Sequence, residues 1–269
     1  MYPICSVEPA TASDVAIIMK ILREKRVPFA VKGGGHSFNP GFSSTRGVHI
    51  YMRRFSKTTF YPNNQTVDIG PGLIWDDVYK ALEPYNVSVI GGRITGVGVG
   101  GFTLGGGYGW KSNQYGLAID NVFEYQLVTP NGTIVYVNNQ SYHDIFFGLK
   151  GGFNNFGIVT NFNVRALPQT LIYGGILIYF QPDFDSVLAA VVNFQNNNAD
   201  PKAQILCNFL ALIGVPTLNI VIFYDAPTAP ESLFQEFLNI TSFPLLPVQT
   251  RSQLSLVQGL PTAVGANMR

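Results

Sequence analysis

The sequence predicts an α+β chain of two units, residues 1–168 and 169–269. Three observations carry that prediction. Glycine is clustered before Pro168 and thins out beyond it. Short apolar or alternating segments bounded by Gly, Pro and Asn recur along the chain and read as strands. Beyond residue 169 the order strand, helix, strand, strand, helix marks a second α+β unit.

The chain has 269 residues, 46% hydrophobic and only 12% charged, with slightly positive mean hydropathy. That composition argues against disorder and supports a sizeable core. A net charge of +1 offers no basic field for nucleic acid. No apolar run reaches the roughly 18–20 residues of a membrane span. No fixed-period repeat is present.

In order, Thr11-Ala12-Ser13-Asp14 is a helix start, followed by Val15, Ile18, Ile21 and Leu22 at helical spacing to about Arg26. Pro28 to Lys32 reads as a strand that runs into Gly33-Gly34-Gly35-His36-Ser37. Gly47 to Met52 and Thr66 to Gly70 read as strands, and Ile74 to Leu82 as a helix. Residues 91–109 form a glycine loop. Val122 to Val128 and Thr133 to Val137 flank an Asn131-Gly132 hairpin turn. Ser141 to Lys150 reads as helical, 151–157 as a further glycine loop and Ile158 to Ala166 as a strand. In the second unit, Leu171 to Phe180, Ala203 to Ile213 and Leu218 to Tyr224 read as strands, and Phe184 to Phe194 and Pro230 to Leu238 as helices.

Two glycine loops carry the chemistry. In the first, three glycines directly after a strand let backbone approach a ligand closely, and successive N–H groups can cradle an anion such as a pyrophosphate. Lys32 adds positive charge and Ser37 a hydroxyl. The pattern is neither a P-loop nor a dinucleotide fingerprint, because Phe38 breaks the last position of the latter. His36 is one of three histidines, with His49 and His143. A neutral imidazole among glycines is a nucleophile within reach of a flat cofactor; spacing alone favours a histidine that ties the loop to itself. His49, in a strand, and His143, at a helix start, read as structural. In the second loop ten of nineteen residues are Gly. Such a stretch suits backbone lying flat against a large ligand. Val97, Val99 and Phe102 would form its apolar floor, with the Tyr108 phenol beside it.

Cys5 and Cys207 have neither CxxC spacing nor a histidine cluster, so a zinc site is unsupported and one disulfide or two thiols remain open. N-x-S/T sequons begin at Asn64, Asn86, Asn131, Asn139 and Asn239 and point to a glycosylated, secreted protein. Met1 to Cys5 lacks the basic and apolar regions of a signal peptide; an incomplete N-terminus would reconcile the two.

Lys32 to Ser37, the loop 91–109, Gly116-Leu117-Ala118-Ile119-Asp120-Asn121 and Leu149 to Val159 (LKGGFNNFGIV) occur in an order and spacing that resembles a known family. It is that of the berberine-bridge-enzyme-like FAD-linked oxidases, in the vanillyl-alcohol oxidase / p-cresol methylhydroxylase flavoprotein superfamily, and the fungal secreted branch is most similar. The resemblance implies an α+β fold: a two-subdomain FAD-binding PCMH-type domain over 1–168, then a partial substrate domain over 169–269. Relatives continue through a segment that returns to the FAD domain, so a chain shortened at both ends is expected.

The resemblance also implies FAD. His36 falls on the histidine joined covalently to the flavin 8α-carbon. Many relatives add a second link through a cysteine, whose place here is Ile94, so a single histidyl link and a less oxidising flavin are expected. Lys32, Gly33, Gly34, Gly35 and Ser37 would wrap the pyrophosphate. Thr95, Gly96, Gly98, Gly101 and Gly105 would line the flavin and ribityl chain, with Gly157, Ile158 and Val159 by the adenine end. Val97 falls where relatives gate oxygen, and its small side chain is that of an oxidase. Tyr108 matches a flavin-facing tyrosine and is the candidate catalytic base; Phe38 replaces another active-site tyrosine. The implied reaction oxidises a C–OH or C–NH group of a carbohydrate, alcohol or secondary metabolite, by hydride transfer to flavin N5 with O₂ as acceptor. The competing expectations are a catalytically incomplete FAD-binding fragment or pseudoenzyme, and a secreted binding module resting on sequons and aromatics alone.

Overall fold

A computed structural model describes residues 2–37, 39, 41–212 and 214–260, without the Leu212 side chain. Phe38 and the residues after Leu260 lie outside the described residues. The described chain forms two compact units that meet in sequence between Pro168 and Gln169.

The first unit opens with β1 (Cys5–Val7), α1 (Ala12–Lys25), β2 (Phe29–Lys32) and β3 (Val48–Tyr51). These strands form a parallel sheet in the order β1-β3-β2. Helix α1 starts on a capping box: Thr11 Oγ1 accepts from the Asp14 N–H, and the Asp14 carboxylate accepts from the Thr11 N–H. Its Val15, Met19 and Leu22 pack on Ile50 and Met52. Next come β4 (Thr58–Tyr61), β5 (Thr66–Ile69), α2 (Trp75–Leu82), β6 (Val87–Ser88), α3 (Val99–Leu104) and α4 (Ser112–Tyr115). The unit ends with β7 (Val122–Val128), β8 (Ile134–Asn138), α5 (His143–Leu149), β9 (Ile158–Arg165) and β10 (Leu167–Pro168). Strands β4-β5-β9-β7-β8 form an antiparallel sheet, and β6 pairs with β10. Strand alternation turns Val67, Ile69, Tyr125, Leu127 and Phe162 inward, where all are fully buried.

The second unit contains β11 (Ile172–Phe180), α6 (Phe184–Asn197), β12 (Ala203–Leu212), β13 (Val215–Tyr224), α7 (Gln235–Leu238), β14 (Phe243–Arg251) and α8 (Gln253–Gly259). Its antiparallel sheet runs β12-β13-β11-β14. Leu177, Tyr179, Leu218, Ile220 and Ile222 pack against Val187 of α6 and Phe234 and Phe237.

Several elements differ from the sequence reading. The loop 91–109 contains helix α3, whose glycines oppose helix formation while buried Val99 and Leu104 hold it in place. The helix expected from Pro230 is confined to Gln235–Leu238; the Leu233 N–H instead closes a turn onto the Pro230 carbonyl. Strands β4 and β14 and helix α8 carry no sequence expectation. Pro244 and Pro247 speak against a strand, yet β14 tolerates them because it lies at the sheet edge, with register shifts against β11.

Candidate cofactor-binding cleft

Strand β2 delivers the first glycine loop directly against the second. A Cβ built on Gly34 would stand 2.5 Å from the Gly98 Cα, and one on Gly33 would stand 2.9 Å from the Pro71 carbonyl oxygen. Only glycine permits this backbone-to-backbone contact. Helix α2 fixes the other side of the second loop. The Asp76 carboxylate accepts from Thr95 Oγ1 at 2.6 Å and from the Gly96 N–H at 3.0 Å, and the Tyr79 hydroxyl donates to the Gly92 carbonyl at 3.0 Å. Burial pushes the Tyr79 phenol pKa well up, and nearby Asp76 reinforces this, so Tyr79 stays a neutral donor.

Between these loops lies a cleft of about 470 Å³. Gly33, Gly34, Gly35, His36 and Ser37 line one wall, and Val97, Gly98 and Gly101 another. Gly157, Ile158 and Val159 also line it. Apolar surface comes from Val31, Met52, Phe102, Leu104 and Phe162. A Cβ built on Gly101 would meet nothing within 4 Å, so open space stands in front of this glycine.

Other residues singled out in the sequence do not line the cleft. Lys32 places its ammonium 4.8 Å from the Tyr51 ring centroid. Thr95 and Gly96 are held by Asp76. Gly105 lies under the Phe153 ring, 2.6 Å from where its Cβ would stand. Val99, expected in the apolar floor, is instead fully buried, because α3 turns it into the core. Tyr108 is 44% exposed, and its hydroxyl donates to Asn113 Oδ1 at 2.6 Å. The Arg93 guanidinium stacks 4.9 Å from the Tyr108 ring and 5.5 Å from Trp110. Burial lowers the Arg93 pKa and the adjacent Tyr108 opposes that shift. His49 lies in β3 with Nδ1 3.0 Å from Ser6 Oγ, and His143 begins α5. Both cysteines are free.

The sequence reading missed Phe42, Ser43 and Phe153, which also line the cleft. Phe153 has φ of 53°, its N–H donates to the Leu104 carbonyl, and its ring meets Phe42 edge-on at 5.4 Å. It thereby joins the second and third glycine loops. The one sequence signal for it was its place inside a glycine-rich stretch; the positive φ is visible only in the fold.

Glycine backbone on two walls, apolar side chains between them and a histidine on the lining suit a large, flat ligand with a polar tail. With a parallel three-stranded sheet and an antiparallel five-stranded sheet bearing these loops, the first unit has the PCMH-type FAD-binding fold, and the open space before Gly101 fits such a cofactor. The chain belongs to the FAD binding domain family, whose signature spans residues 3–138.

Over 264 residues it is 38% identical to the FAD-dependent monooxygenase drtC of Aspergillus calidoustus, covering 95% of this chain and 50% of that protein. It is 39% identical over 245 residues to an uncharacterized FAD-linked oxidoreductase of Arthroderma benhamiae, covering 89% and 48%. Among solved structures, 6-hydroxy-D-nicotine oxidase from Arthrobacter nicotinovorans shares the fold, with a TM-score of 0.82 at 20% identity over 96% of this chain and 58% of that one. The chain spans about half the length of the curated relatives it matches. Among the described residues, no helix is long and apolar enough to cross a membrane.

Proposed function

We propose that this chain is the FAD-holding part of an oxidoreductase that oxidises a C–OH or C–NH group of a small carbohydrate, alcohol or secondary metabolite, with O₂ as acceptor. The observation that carries the reading is the meeting of the His36 loop and the second glycine loop at one cleft. When bound, FAD supplies a two-electron acceptor for a substrate hydride and passes the electrons on to dioxygen. Gly33 to Gly35 and Ser37 would hold the pyrophosphate, Gly98 and Gly101 the flavin and ribityl chain, and Ile158 and Val159 the adenine end. His36 would make the one covalent link. Phe102, Leu104 and Phe162 would keep water from the flavin, and Val97 would set oxygen access. Tyr108, which lies outside the cleft lining, would take the substrate proton only after releasing its own hydroxyl proton, now donated to Asn113 Oδ1, with its ring held by Arg93. Residues 169–269 would belong to a partial substrate domain. All five sequon asparagines are exposed, which supports a secreted glycoprotein.

Acid precipitation of the purified chain tests the reading directly. Flavin that stays with the pellet supports the covalent link; a folded chain that takes up no FAD at all overturns the proposal. Peroxide release on a panel of alcohols, amines and sugars then separates an oxidase from a catalytically silent FAD-binding fragment.

A further inference from the structure

The outer face of the five-stranded sheet carries a second hollow, of about 570 Å³, that among the described residues shares no lining residue with the cleft. The alternation that buries Val67, Tyr125 and Phe162 turns Asp68, Glu124, Tyr136, Asn138 and Asn163 outward. Their polar atoms are already organised across strands. Asp68 accepts from Asn163 Nδ2 at 2.7 Å and from the Tyr61 hydroxyl at 3.2 Å, and Glu124 accepts from Asn138 Nδ2 at 2.8 Å. The register of β7 against β9 skips Phe123: Val122 faces Val164 and Glu124 faces Asn163. This bulge leaves Phe123 on the lining of the hollow, 49% exposed, beside Tyr61 at 41% and Tyr136 at 55%.

We propose that this hollow binds a neutral oligosaccharide. A sugar ring presents an apolar C–H face and an edge of hydroxyls, each both donor and acceptor. Three half-exposed rings offer surface to the first. Carboxylates and amides held in place across the strands offer fixed partners to the second, and their preorganisation lowers the ordering cost of binding. Among the described residues the lining includes two carboxylates and no Lys, Arg or His, which disfavours phosphate and other anions. Among the described residues, no group of three His, Cys, Asp or Glu is placed to hold a metal ion. A solvated sheet face accounts for the amides but not for a phenylalanine carried out of register onto the same surface.

Asn64 and Asn139 also line the hollow and begin sequons, so sugars linked there would fill it; the site is that of a chain unglycosylated at these two positions, and the chain to test is one made without N-linked sugars. That chain, supplied with excess FAD, is titrated with cellotetraose, xylotetraose and tetra-N-acetylchitotetraose by calorimetry. Hydroxyl-radical footprinting of the unsubstituted chain is run alongside. The expected result is millimolar or tighter binding of at least one tetrasaccharide, with protection of Phe123 and Tyr136. Phe123→Ala or Tyr136→Ala should weaken it about tenfold, as loss of an aromatic anchor does. No binding of any of the three overturns the proposal, as does protection confined to Phe42 and Phe102 of the cleft. Footprinting decides even where a substituted chain fails to fold.

Discussion

Gly34 and Gly98 touch backbone to backbone: a Cβ on Gly98 would lie 2.5 Å from the Gly34 nitrogen, and one on Gly34 2.5 Å from the Gly98 Cα. The contact locks the two glycine loops together and sets the width of the cleft. Gly34→Ala or Gly98→Ala must push the loops apart, at about 1–3 kcal/mol of overpacking. Gly101→Ala is the control, since its Cβ meets no atom within 4 Å beyond its chain neighbours and its own helix backbone. We expect the first two variants to melt earlier, and Gly101→Ala, which removes a helix-opposing glycine from α3, to melt with or above the parent yet retain less FAD. Thermal unfolding and visible flavin absorbance of the purified chains check both.

His36 stands on the cleft wall, half-buried. His36→Ala should leave the melting temperature nearly unchanged and release all flavin into the acid supernatant. Flavin still attached in that variant would place the link elsewhere.

Asp76 is buried and accepts two hydrogen bonds from the second glycine loop. Asp76→Ala strands the Thr95 hydroxyl and the Gly96 N–H, a loss of about 1–3 kcal/mol. Asp76→Asn keeps one acceptor oxygen and should fall between. Denaturant midpoints measure the order, and FAD affinity should follow it.

His49 supplies a pH dependence. Burial lowers its pKa below the ordinary 6.5, and the charge of Lys32 lowers it further. The unfolded chain therefore binds this proton at higher pH than the folded one, so stability is full above 6.5 and declines as pH falls below it. His49→Gln should flatten that decline. Melting curves between neutral and mildly acidic pH decide it; an unchanged slope would assign the dependence to another group.

Tyr108 donates to Asn113 and lies under Arg93. Tyr108→Phe keeps the stacked ring and removes the proton acceptor. Turnover should fall about 100-fold or more, as for a lost general base, with flavin content unchanged. Equal loss of turnover and flavin would mark the residue as structural.

The run of ten glycines in residues 91–109 and the Gly33–His36 loop declare in one dimension that backbone must lie close to something, because no ordinary core packs so little side chain. That was enough to read a large, flat ligand with an anionic tail; FAD itself was implied by the family resemblance of the motifs in register. The apolar periodicity of α1, the Asn-Gly hairpin and strands β11, β12 and β13 were legible for the same reason: each signal is local. Helix α3 was not, since its glycines argue against a helix that buried Val99 and Leu104 stabilise only once packed. Strand β14 was hidden by two prolines that an edge position tolerates.

By itself, then, the sequence determined the α+β class, the glycine loops and the residue types available for a flavin. Tertiary structure alone decided that Gly34 meets Gly98, that Thr95 and Gly96 answer to Asp76, and that Phe153 joins two loops. Each of those depends on contacts between segments far apart in the chain, and no local pattern records them.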